Sequence, residues 1–501
     1  MDAPAEIVIV APRLPEPARD EAFSIVRIDP QALAAAPRLD EALTTSPSAS
    51  LFRRSSSLSA NATIQGVSLR AIAPSGAGRA LVTLEGAPLN DPFGGWVIWS
   101  AVPAESVSAI AIVRGAGAGP YGAGALTGVI ALEEAAPPRA PLATLTLGEN
   151  GYGRAAWFGG AGGFSIAAAG ERYDGATPVR ARAGAADVRA DFESTALAGR
   201  WIGRAGQGAI SARLGLHDEA RGAGLAGAES ASRGAHLSLT YANPNAGWRG
   251  QVWAVASDFA NTSVAVSADR STTTPANDQY ETPAYGLGGT IAYRRAHGGV
   301  EWELGADARY AEGESRERFR YMGAGFTRTR AAGGESALAG VYGEASYETG
   351  PWLFTGGARF DHAASFGGRR EEFDIATGAA TLNEQTSGAR HTLGTARFGV
   401  RRDLGAVALR AAAYSGFRPP SLNELHRPFR VGNDVTEANA ALAPESLAGA
   451  EIGQRCAELG ADRHGHFGSG GGRGRAPVSR EIAQGGVGFV PDSADHRDRR
   501  G

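Results

Sequence analysis

The chain contains no lysine: all 49 basic residues among its 501 are arginine. A functional demand for arginine rarely empties a whole chain of lysine, so we attribute this to codon bias in a GC-rich genome. Without lysine, a phosphate-binding loop that ends in G-K-[ST] is excluded. The single cysteine, Cys456, excludes an internal disulfide and a cysteine-rich metal site. No run of about 18 apolar residues occurs, which excludes a transmembrane helix.

The charge balance also narrows the function. A formal net charge of -3 leaves no basic surface for nucleic acid. The chain is long enough for two or three domains. Its 71 glycines and 8% aromatic residues are typical of a β-barrel with many turns and interfacial rings. The first residues lack the apolar core of a signal peptide, so we expect that a leader was removed or that the start is misplaced.

From about residue 140 to residue 455 the sequence repeats a strand–turn–strand rhythm. In residues 301–310, Trp, Leu, Ala and Tyr alternate with Glu, Asp and Arg, the two-residue period of a strand. A soluble β-sandwich shows the same period. Two features favour a membrane barrel: aromatic residues near strand ends (Tyr310, Tyr347, Trp352) and a densely charged opposite face that suits a wet lumen.

Residues 65–132 are the most informative stretch. Short β-type runs, Ala80–Leu84 and Ile110–Val113, alternate with glycine-bearing turns, and Arg70 and Arg114 close the two halves. This order closely resembles the plug domain of TonB-dependent outer-membrane receptors. The resemblance implies an energised nutrient importer with no enzyme activity: an antiparallel transmembrane β-barrel with an N-terminal mixed α/β plug domain in its lumen.

The resemblance divides the chain into four regions. We predict a flexible N-terminal segment (1–38), a plug domain (39–138) that opens with a short helix near Leu39–Leu43, a partial barrel (139–454) and an aberrant tail (455–501). The barrel region holds about 14 alternating segments, against about 22 strands in receptors of this kind. We therefore expect an incomplete barrel that does not transport as written.

The tail from about residue 455 loses the alternation and is rich in Arg, His and Gly. Gly, Arg and Cys are what a GC-rich reading frame yields when it is shifted by one base. We interpret the tail as frameshifted or otherwise aberrant sequence. The alternative is a natural disordered tail.

A glycine-rich run follows the second β-type run. Gly117, Gly119 and Gly122 satisfy the dinucleotide-binding pattern G-x-G-x-x-G. That fold requires a helix next and an acidic residue about 20 positions later. Here Pro120 interrupts the run and the acidic residues come too early, so the sequence argues against nucleotide binding.

An extended β-branched segment precedes the plug region and consists of Glu6, Ile7, Val8, Ile9 and Val10. Such a segment can add itself to the edge of a partner's sheet through backbone hydrogen bonds. It resembles the TonB box, through which these receptors contact TonB in the periplasm. The alternative is a mere edge strand or the start of the plug.

The two plug arginines have a role that the resemblance implies. A guanidinium forks onto carboxylates with directional hydrogen bonds. In the family the arginines at these positions pair with two barrel glutamates, one of which matches Glu451. We expect Arg70 and Arg114 to lie near Glu451, with the second glutamate beyond the part that resembles the family. The alternative is that they are ordinary solvated charges.

Ligand contacts in the family come from plug loops at the outer apex and from barrel loops. Candidates here are Ser57, Ser75, Asn90, Asp91, Phe93 and Trp96. The alternative for Asn90 and Asp91 is simple turn chemistry. The family ligands include ferric siderophores and cobalamin, among which the sequence does not choose.

No metal site, cofactor or catalytic arrangement is predicted. The resemblance implies a monomer in the lipid of the cell outer membrane. The alternative from another class is a non-transporting surface binding protein, or adhesin, with a β-rich body.

Overall fold

The computed structural model describes residues 13, 18–53, 56–70, 72, 76–115, 119–431 and 434–456. The predicted TonB-binding residues Glu6–Val10 and nearly all of the predicted tail lie outside the described residues. Within this part of the chain, no helix combines the length and the apolar character needed to cross a membrane.

Residues 18–134 form the plug. Its elements are β1 (Ser24–Ile28), α1 (Pro30–Ala34), α2 (Leu39–Thr44), β2 (Ala49–Leu51), β3 (Val67–Leu69), β4 (Ala80–Leu84), β5 (Ala87–Pro88), β6 (Val107–Arg114) and β7 (Gly128–Glu134), with 3-10 turns at Ala18–Ala22, Ala62–Ile64, Trp99–Ala101 and Ala104–Ser106. The predicted helix and both predicted strands are confirmed. A five-stranded sheet runs β1-β6-β7-β4-β5, with β4 and β7 parallel.

The plug sheet packs on its short helices through a buried apolar core, in which Val82, Ile110, Ile112, Ile130 and Leu132 are all nearly inaccessible. These residues come from the three central strands and explain their near-continuous apolar runs. The glycine-rich loop of residues 119–124 lies between antiparallel β6 and β7. No helix follows it, which agrees with the argument against nucleotide binding.

The plug begins earlier than the sequence predicted. Residues 1–38 were expected to be a flexible segment, but β1 pairs along its whole length with β6, and α1 packs close by. Asp29 caps α1 by accepting a hydrogen bond from the amide of Ala32, and Pro30 occupies the first turn. The predicted boundary at residue 38 is therefore wrong. The boundary at 138 falls between β7 and the next strand.

The second sheet is built from long antiparallel strands joined in sequence. Its strands are β8 (Leu142–Leu147), β9 (Gly153–Ala161), β10 (Phe164–Ala176), β11 (Ala190–Ala205), β12 (Gly208–Gly222), β13 (Glu229–Asn243), β14 (Trp248–Val266), β15 (Thr273–Glu281), β16 (Ala284–His297), β17 (Val300–Tyr321), β18 (Phe326–Thr349), β19 (Trp352–Asp374), β20 (Ala380–Thr386), β21 (Ala389–Asp403), β22 (Val407–Arg418) and β25 (Glu445–Cys456). Because β16 and β20 lie beside the main path, the path crosses 14 strands, as predicted, with β8 and β25 at its two ends. Between β22 and β25 stand α3 (Leu422–His426), β23 (Phe429–Val431) and β24 (Asp434–Thr436).

In the long sheet the exposed face is apolar and the buried face is polar, which is the reverse of the pattern in a soluble protein. In β13, Leu237 and Leu239 are 53% and 43% exposed, whereas Ser238 and Thr240 are 6% exposed. In β19, Phe360 is 65% exposed beside Arg359 at 1%. Apolar side chains therefore face outward and polar ones face the plug, as in a transmembrane barrel wall and unlike a sandwich. The alternation predicted from the sequence is confirmed.

The two ends of this sheet differ. Successive strands meet at one end through two to four residues (for example 206–207 and 350–351) and at the other mostly through longer segments (for example 177–189 and 419–444), with residues 322–325 as a short exception there. We call these the short-turn end and the long-loop end. Trp248, Tyr293 and Trp302 cluster near the short-turn end with ring centroids 4.6 and 5.5 Å apart.

Two of the three aromatic residues predicted at strand ends are there: Tyr347 and Trp352 flank the turn at 350–351. Tyr310 is not. It lies in the middle of β17, where its hydroxyl donates to Glu335. Alternation fixes the face on which a residue lies but not its height along a strand of 22 residues.

Candidate functional site

The site is the interface between the plug and the polar face of the long sheet. We call strands β8–β14 the first wall and strands β17–β22 with β25 the second wall. Both carry charged side chains that meet the plug.

The predicted pair Arg70 and Glu451 is brought together. Arg70 follows β3 with φ of 59°, and its guanidinium contacts the carboxylate of Glu451 on β25 in an ion pair. It also donates to the hydroxyl of Tyr414 on β22 and lies 5.6 Å from the centre of that ring. Arg410 reaches the other oxygen of Glu451 at 3.1 Å. One wall carboxylate thus lies between a plug guanidinium and a wall guanidinium.

Arg114 is the last residue of β6, and its backbone lies beside the same aromatic ring. A Cβ placed on the following residue, Gly115, would lie 3.0 Å from Cε1 of Tyr414. Gly115 has φ of 115°, so the close approach and the backbone conformation both favour glycine here. The residue after Arg114 thus lies beside the Arg70 group, and the contact of Arg114 itself with Glu451 stays a prediction.

On the first wall, buried ion pairs that the sequence did not predict hold the plug. Glu134, at the end of β7, accepts from Nε of Arg213 at 2.8 Å and lies 3.3 Å from Nε of Arg200. Arg154 forks onto Glu105, and Arg38 contacts Glu171. All of these side chains are less than 10% exposed. No sequence signal links partners that lie 49 to 133 residues apart.

The turn after β4 is a second connection to the first wall. The backbone oxygen of Glu85 accepts from Arg249 at 2.8 Å and from Gln251 at 3.0 Å. A Cβ on the next residue, Gly86, would lie 2.7 Å from Nη2 of Arg249. Burial raises the pKa of the Glu85 carboxyl, but hydrogen bonds and charge from Arg13 outweigh burial and hold that pKa below its ordinary value.

The predicted apical loop around Asn90 is a closed turn. Asp91 accepts from the amides of Phe93 and Gly94 and from the hydroxyl of Ser257 on β14. Asn90 accepts from the amide of Val82 and donates to the oxygen of Gly95. The turn chemistry that the sequence left open is therefore present. Burial raises the pKa of Asp91, and its hydrogen bonds offset this only in part.

Phe93 and Trp96 were expected to contact a ligand, but neither presents a surface to one. They are 0% and 3% exposed and pack with Phe259 of β14 and Leu422 of α3. Trp96 and Phe259 have ring centroids 5.3 Å apart. Their physical role is to seal plug against wall, because large aromatic side chains gain most from burial.

Of the two predicted serines, the one that the structure describes, Ser57, is not at a ligand surface either. Ser57 is 1% exposed; its hydroxyl accepts from Arg38 at 2.9 Å, and its carbonyl accepts from Arg221 on β12. Ser75 lies outside the described residues.

A cavity of about 230 Å³ lies between the plug and both walls. Plug residues that line it include Leu81, Pro88, Asn90, Asp91, Ala123 and Gly124. Wall residues that line it include Trp253, Arg309, Leu338, His391, Arg418 and Leu425. Arg418 ends β22 and Leu425 belongs to α3, so the cavity opens towards the long-loop end. Its lining is largely apolar with a few polar groups, the usual make-up of a small-molecule site.

Three arginines of the second wall surround the plug loop 119–124. Arg309 on β17 donates to the oxygens of Tyr121 and Ala123 at 3.2 and 3.0 Å. Arg397 on β21 lies 5.6 Å from the centre of the Tyr121 ring and forks onto Glu344. Arg359 on β19 reaches the oxygen of Gly119 at 3.4 Å. The loop is thus held by its carbonyl groups, with no side chain of its own in an ion pair with these arginines.

The fold and the site together define a class: a β-sheet wall with an apolar outer face that surrounds an ion-paired plug. A model of the TonB-dependent receptor-like β-barrel matches residues 181–468, and a model of the TonB-dependent receptor plug domain matches residues 17–129. The chain belongs to the TonB-dependent receptor family, a family of transporters and receptors rather than enzymes.

Solved structures show the same fold. The copper transporter OprC superposes with a TM-score of 0.66 at 17% identity, covering 86% of this chain and 68% of OprC. The ferric yersiniabactin uptake receptor FyuA from Yersinia pestis gives 0.63 at 12%, covering 87% and 70%. The Serratia marcescens hemophore receptor HasR, solved with HasA and heme, gives 0.63 at 15%, also covering 87% and 70%. No curated protein matches the sequence.

Proposed function

We propose that the protein is an outer-membrane receptor of the kind that imports a scarce ligand with energy relayed by TonB. The observation that carries the proposal is the cavity between plug and walls on the long-loop side. In outer-membrane barrels the longer loops face outward and the short turns face the periplasm. A ligand from outside then reaches the cavity first and meets the plug beneath it.

The ligand class we propose is a ferric siderophore, cobalamin or a similar small nutrient. The similar structures named above support this ligand class, since they are a copper transporter, a ferric yersiniabactin uptake receptor and a hemophore receptor solved with heme. The mostly apolar lining, with Asn90, Asp91, Arg309 and His391 as polar points, suits an organic ligand with a few hydrogen-bonding groups.

We propose that TonB captures Glu6–Val10 by adding this segment to its own sheet. The described chain nearby supports a path for the pull. Arg13 forks onto Glu85 and reaches Glu133 at 2.7 Å on the plug. Further along, Glu21 contacts Arg401 of the second wall.

Next along this path comes β1, which among the described residues is an edge strand of the plug sheet and pairs with β6 alone. A pull on the N-terminus therefore acts first on Arg13 and then peels β1 from β6. β6 then keeps β7 as its neighbour but loses β1, and β6 is the strand that leads into the glycine-rich loop.

A proline substitution tests TonB capture. Ile9→Pro removes a backbone donor and restricts the chain, so strand addition is lost. Ile9→Val keeps the β-branched strand and is the matched control. We expect the proline variant to reach the outer-membrane fraction but to lose cross-linking to the periplasmic domain of TonB, while the valine variant retains it.

Two results would contradict the proposal. Unchanged cross-linking of the proline variant would remove the role of Glu6–Val10. Fractionation of the wild-type chain away from the outer membrane, or no cross-linking to TonB at all, would favour a non-transporting surface binding protein.

A further inference from the structure

Arg309 belongs at once to the cavity and to the support of the plug. It lines the cavity, and its two terminal nitrogens donate to the oxygens of Tyr121 and Ala123. Ala123 also lines the cavity. A group that enters the cavity and binds this guanidinium therefore competes with the plug loop.

The partners of Arg309 differ from those of the neighbouring wall arginines. Arg359 takes both nearby carboxylates, Asp307 and Asp361, and Arg397 takes Glu344. Among the described residues, the hydrogen bonds of the Arg309 guanidinium go to carbonyl oxygens and none goes to a carboxylate. Its hydrogen-bond acceptors are thus neutral, although the charges of Asp307 and Asp361 also act on it.

A charged acceptor binds a guanidinium about twice as strongly as a neutral one. Bidentate hydrogen bonding by a carboxylate adds to this difference in strength. We infer that Arg309 is a ligand-sensing residue: an anionic group on a largely apolar ligand takes Arg309 from Tyr121 and Ala123 and so releases the plug loop 119–124. This rests on the proposed function in that it takes the cavity as the ligand site. It adds the chemical class of the ligand and the means by which binding reaches the plug.

The rest of the cavity fits such a ligand. Leu81, Trp253, Leu338 and Leu425 supply apolar contact. Asp91 also lines this space, but its two carboxylate oxygens already accept hydrogen bonds from the amides of Phe93 and Gly94 and from the hydroxyl of Ser257. The guanidinium of Arg418 is already held by Glu424 and Glu445. Arg309 is therefore the cation best placed for the ligand.

The loop is built for close contact with arginine. A Cβ at Gly122 would lie 3.4 Å from Nη2 of Arg309 and 3.2 Å from Nη2 of Arg359. Gly122 also has φ of 73°, where a side chain is strained. A loop held mainly through its carbonyl groups is released when those hydrogen bonds are replaced. The release acts at the end of β6, the same strand that a pull on β1 would leave paired with β7 alone.

The test uses the full-length protein in detergent micelles with benzoate and benzamide as probes, which share ring and shape and differ in charge. We expect benzoate to bind about tenfold more tightly than benzamide, because a hydrogen bond to a charged group exceeds one to a neutral group by about 1.4 kcal/mol. We expect benzoate alone to raise hydrogen–deuterium exchange in peptides that cover residues 119–128. In Arg309→Gln the preference for benzoate disappears, and exchange in this loop is high without any probe.

Two further variants keep the test decisive. Arg309→Lys retains the charge without the fork, so it should still prefer benzoate although its loop exchanges faster than in the wild type. Arg318→Gln, on the same strand and paired with Asp278 away from the cavity, should behave as wild type.

Equal binding of the two probes by the wild type, an unchanged preference in Arg309→Gln, or binding of benzoate without faster loop exchange would each overturn the inference. None of these measurements needs TonB. Failure of the TonB experiment with success here would therefore reject the importer and leave the sensing residue standing.

Discussion

The plug meets its two walls in different ways. On the first wall, the paired side chains are almost fully buried: Arg38 and Glu171 are 4% and 5% exposed. On the second wall, the corresponding ion pair of Arg70 with Glu451 is more exposed to solvent, with side chains 24% and 10% exposed. Other contacts there are partly exposed ion pairs, such as Arg79 with Glu445, and hydrogen bonds from arginine to backbone oxygens.

Because of this difference, the two walls stabilise the plug to different extents. Removing one partner of a buried pair costs about 3–5 kcal/mol, whereas an exposed pair contributes about 0–1 kcal/mol. The first wall is thus the anchor of the plug, and the second wall is the side on which the plug can separate. The plug loop held by Arg309 lies on the separable side.

The largest expected effect is at the anchor. Glu134→Gln leaves the guanidinium groups of Arg200 and Arg213 buried without their carboxylate. We expect the plug to lose about 3–5 kcal/mol of stability. Urea dependence of hydrogen exchange in β7 measures this loss.

The neighbouring Glu133→Gln is the matched control. Glu133 is 28% exposed, and we expect its loss to cost less than about 1 kcal/mol. Equal effects of the two substitutions would show that burial does not distinguish these carboxylates and would break the comparison between the walls.

An intermediate effect is expected at Glu451. Glu451→Gln leaves Arg70 and Arg410 facing each other, and we expect a loss of about 1–2 kcal/mol, since this site is half-buried. The loss should shrink as ionic strength rises from about 0.1 M to 1 M, because screening shortens from about 10 to 3 Å. Salt-independent loss would place this pair with those of the first wall.

A smaller effect is expected at Arg79, which forks onto Glu445 with two distances of 2.9 Å. These side chains are 22% and 35% exposed, and Glu445 keeps its contact with Arg418. Arg79→Gln should therefore cost less than about 1 kcal/mol in the same exchange measurement. A loss as large as that of Glu134→Gln would contradict the second wall as the separable side.

The smallest expected effect is on the pH dependence of plug stability, to which Glu85 and Asp91 contribute with opposite signs. Because the pKa of Glu85 is lowered in the folded protein, its contribution is present above its unfolded value near 4.5 and is lost as pH falls through the folded value. The raised pKa of Asp91 acts oppositely: its burial weakens the plug above the folded value, and stability returns as pH falls towards 3.8.

Glu85→Gln and Asp91→Asn should each remove one of these dependences from plug stability measured between pH 3 and pH 7. If both variants change the profile in the same direction, the assignment of opposite signs is wrong.

Local pattern in the sequence was sufficient for the elements and for their faces. Alternation of apolar and polar residues identified both sides of β17 and β19, and the helix at Leu39–Leu43 appeared as expected. The motif resemblance brought Arg70 and Glu451 to the same place, although 381 positions separate them in the chain.

Pairings across the interface could not be predicted in the same way. Nothing adjacent to Glu134 indicates Arg213, since the two meet only when the wall curves round the plug. Phe93 and Trp96 were assigned to a ligand because an aromatic in a polar loop looks accessible; packing against Phe259 decides otherwise. The start of the plug was misplaced because β1 is short and pairs with β6, whose matching residues come 82 to 90 positions later in the chain.

The length of the hairpin formed by β17 and β18 has a practical consequence. Strands of 22 and 24 residues extend about 70–80 Å at 3.3 Å per residue. Even tilted by about 45°, they exceed a hydrocarbon layer of about 30 Å. If the protein lies in the outer membrane as proposed, the tip at residues 322–325 stands clear of lipid, and an antibody epitope inserted there should label intact cells without disturbing the cavity.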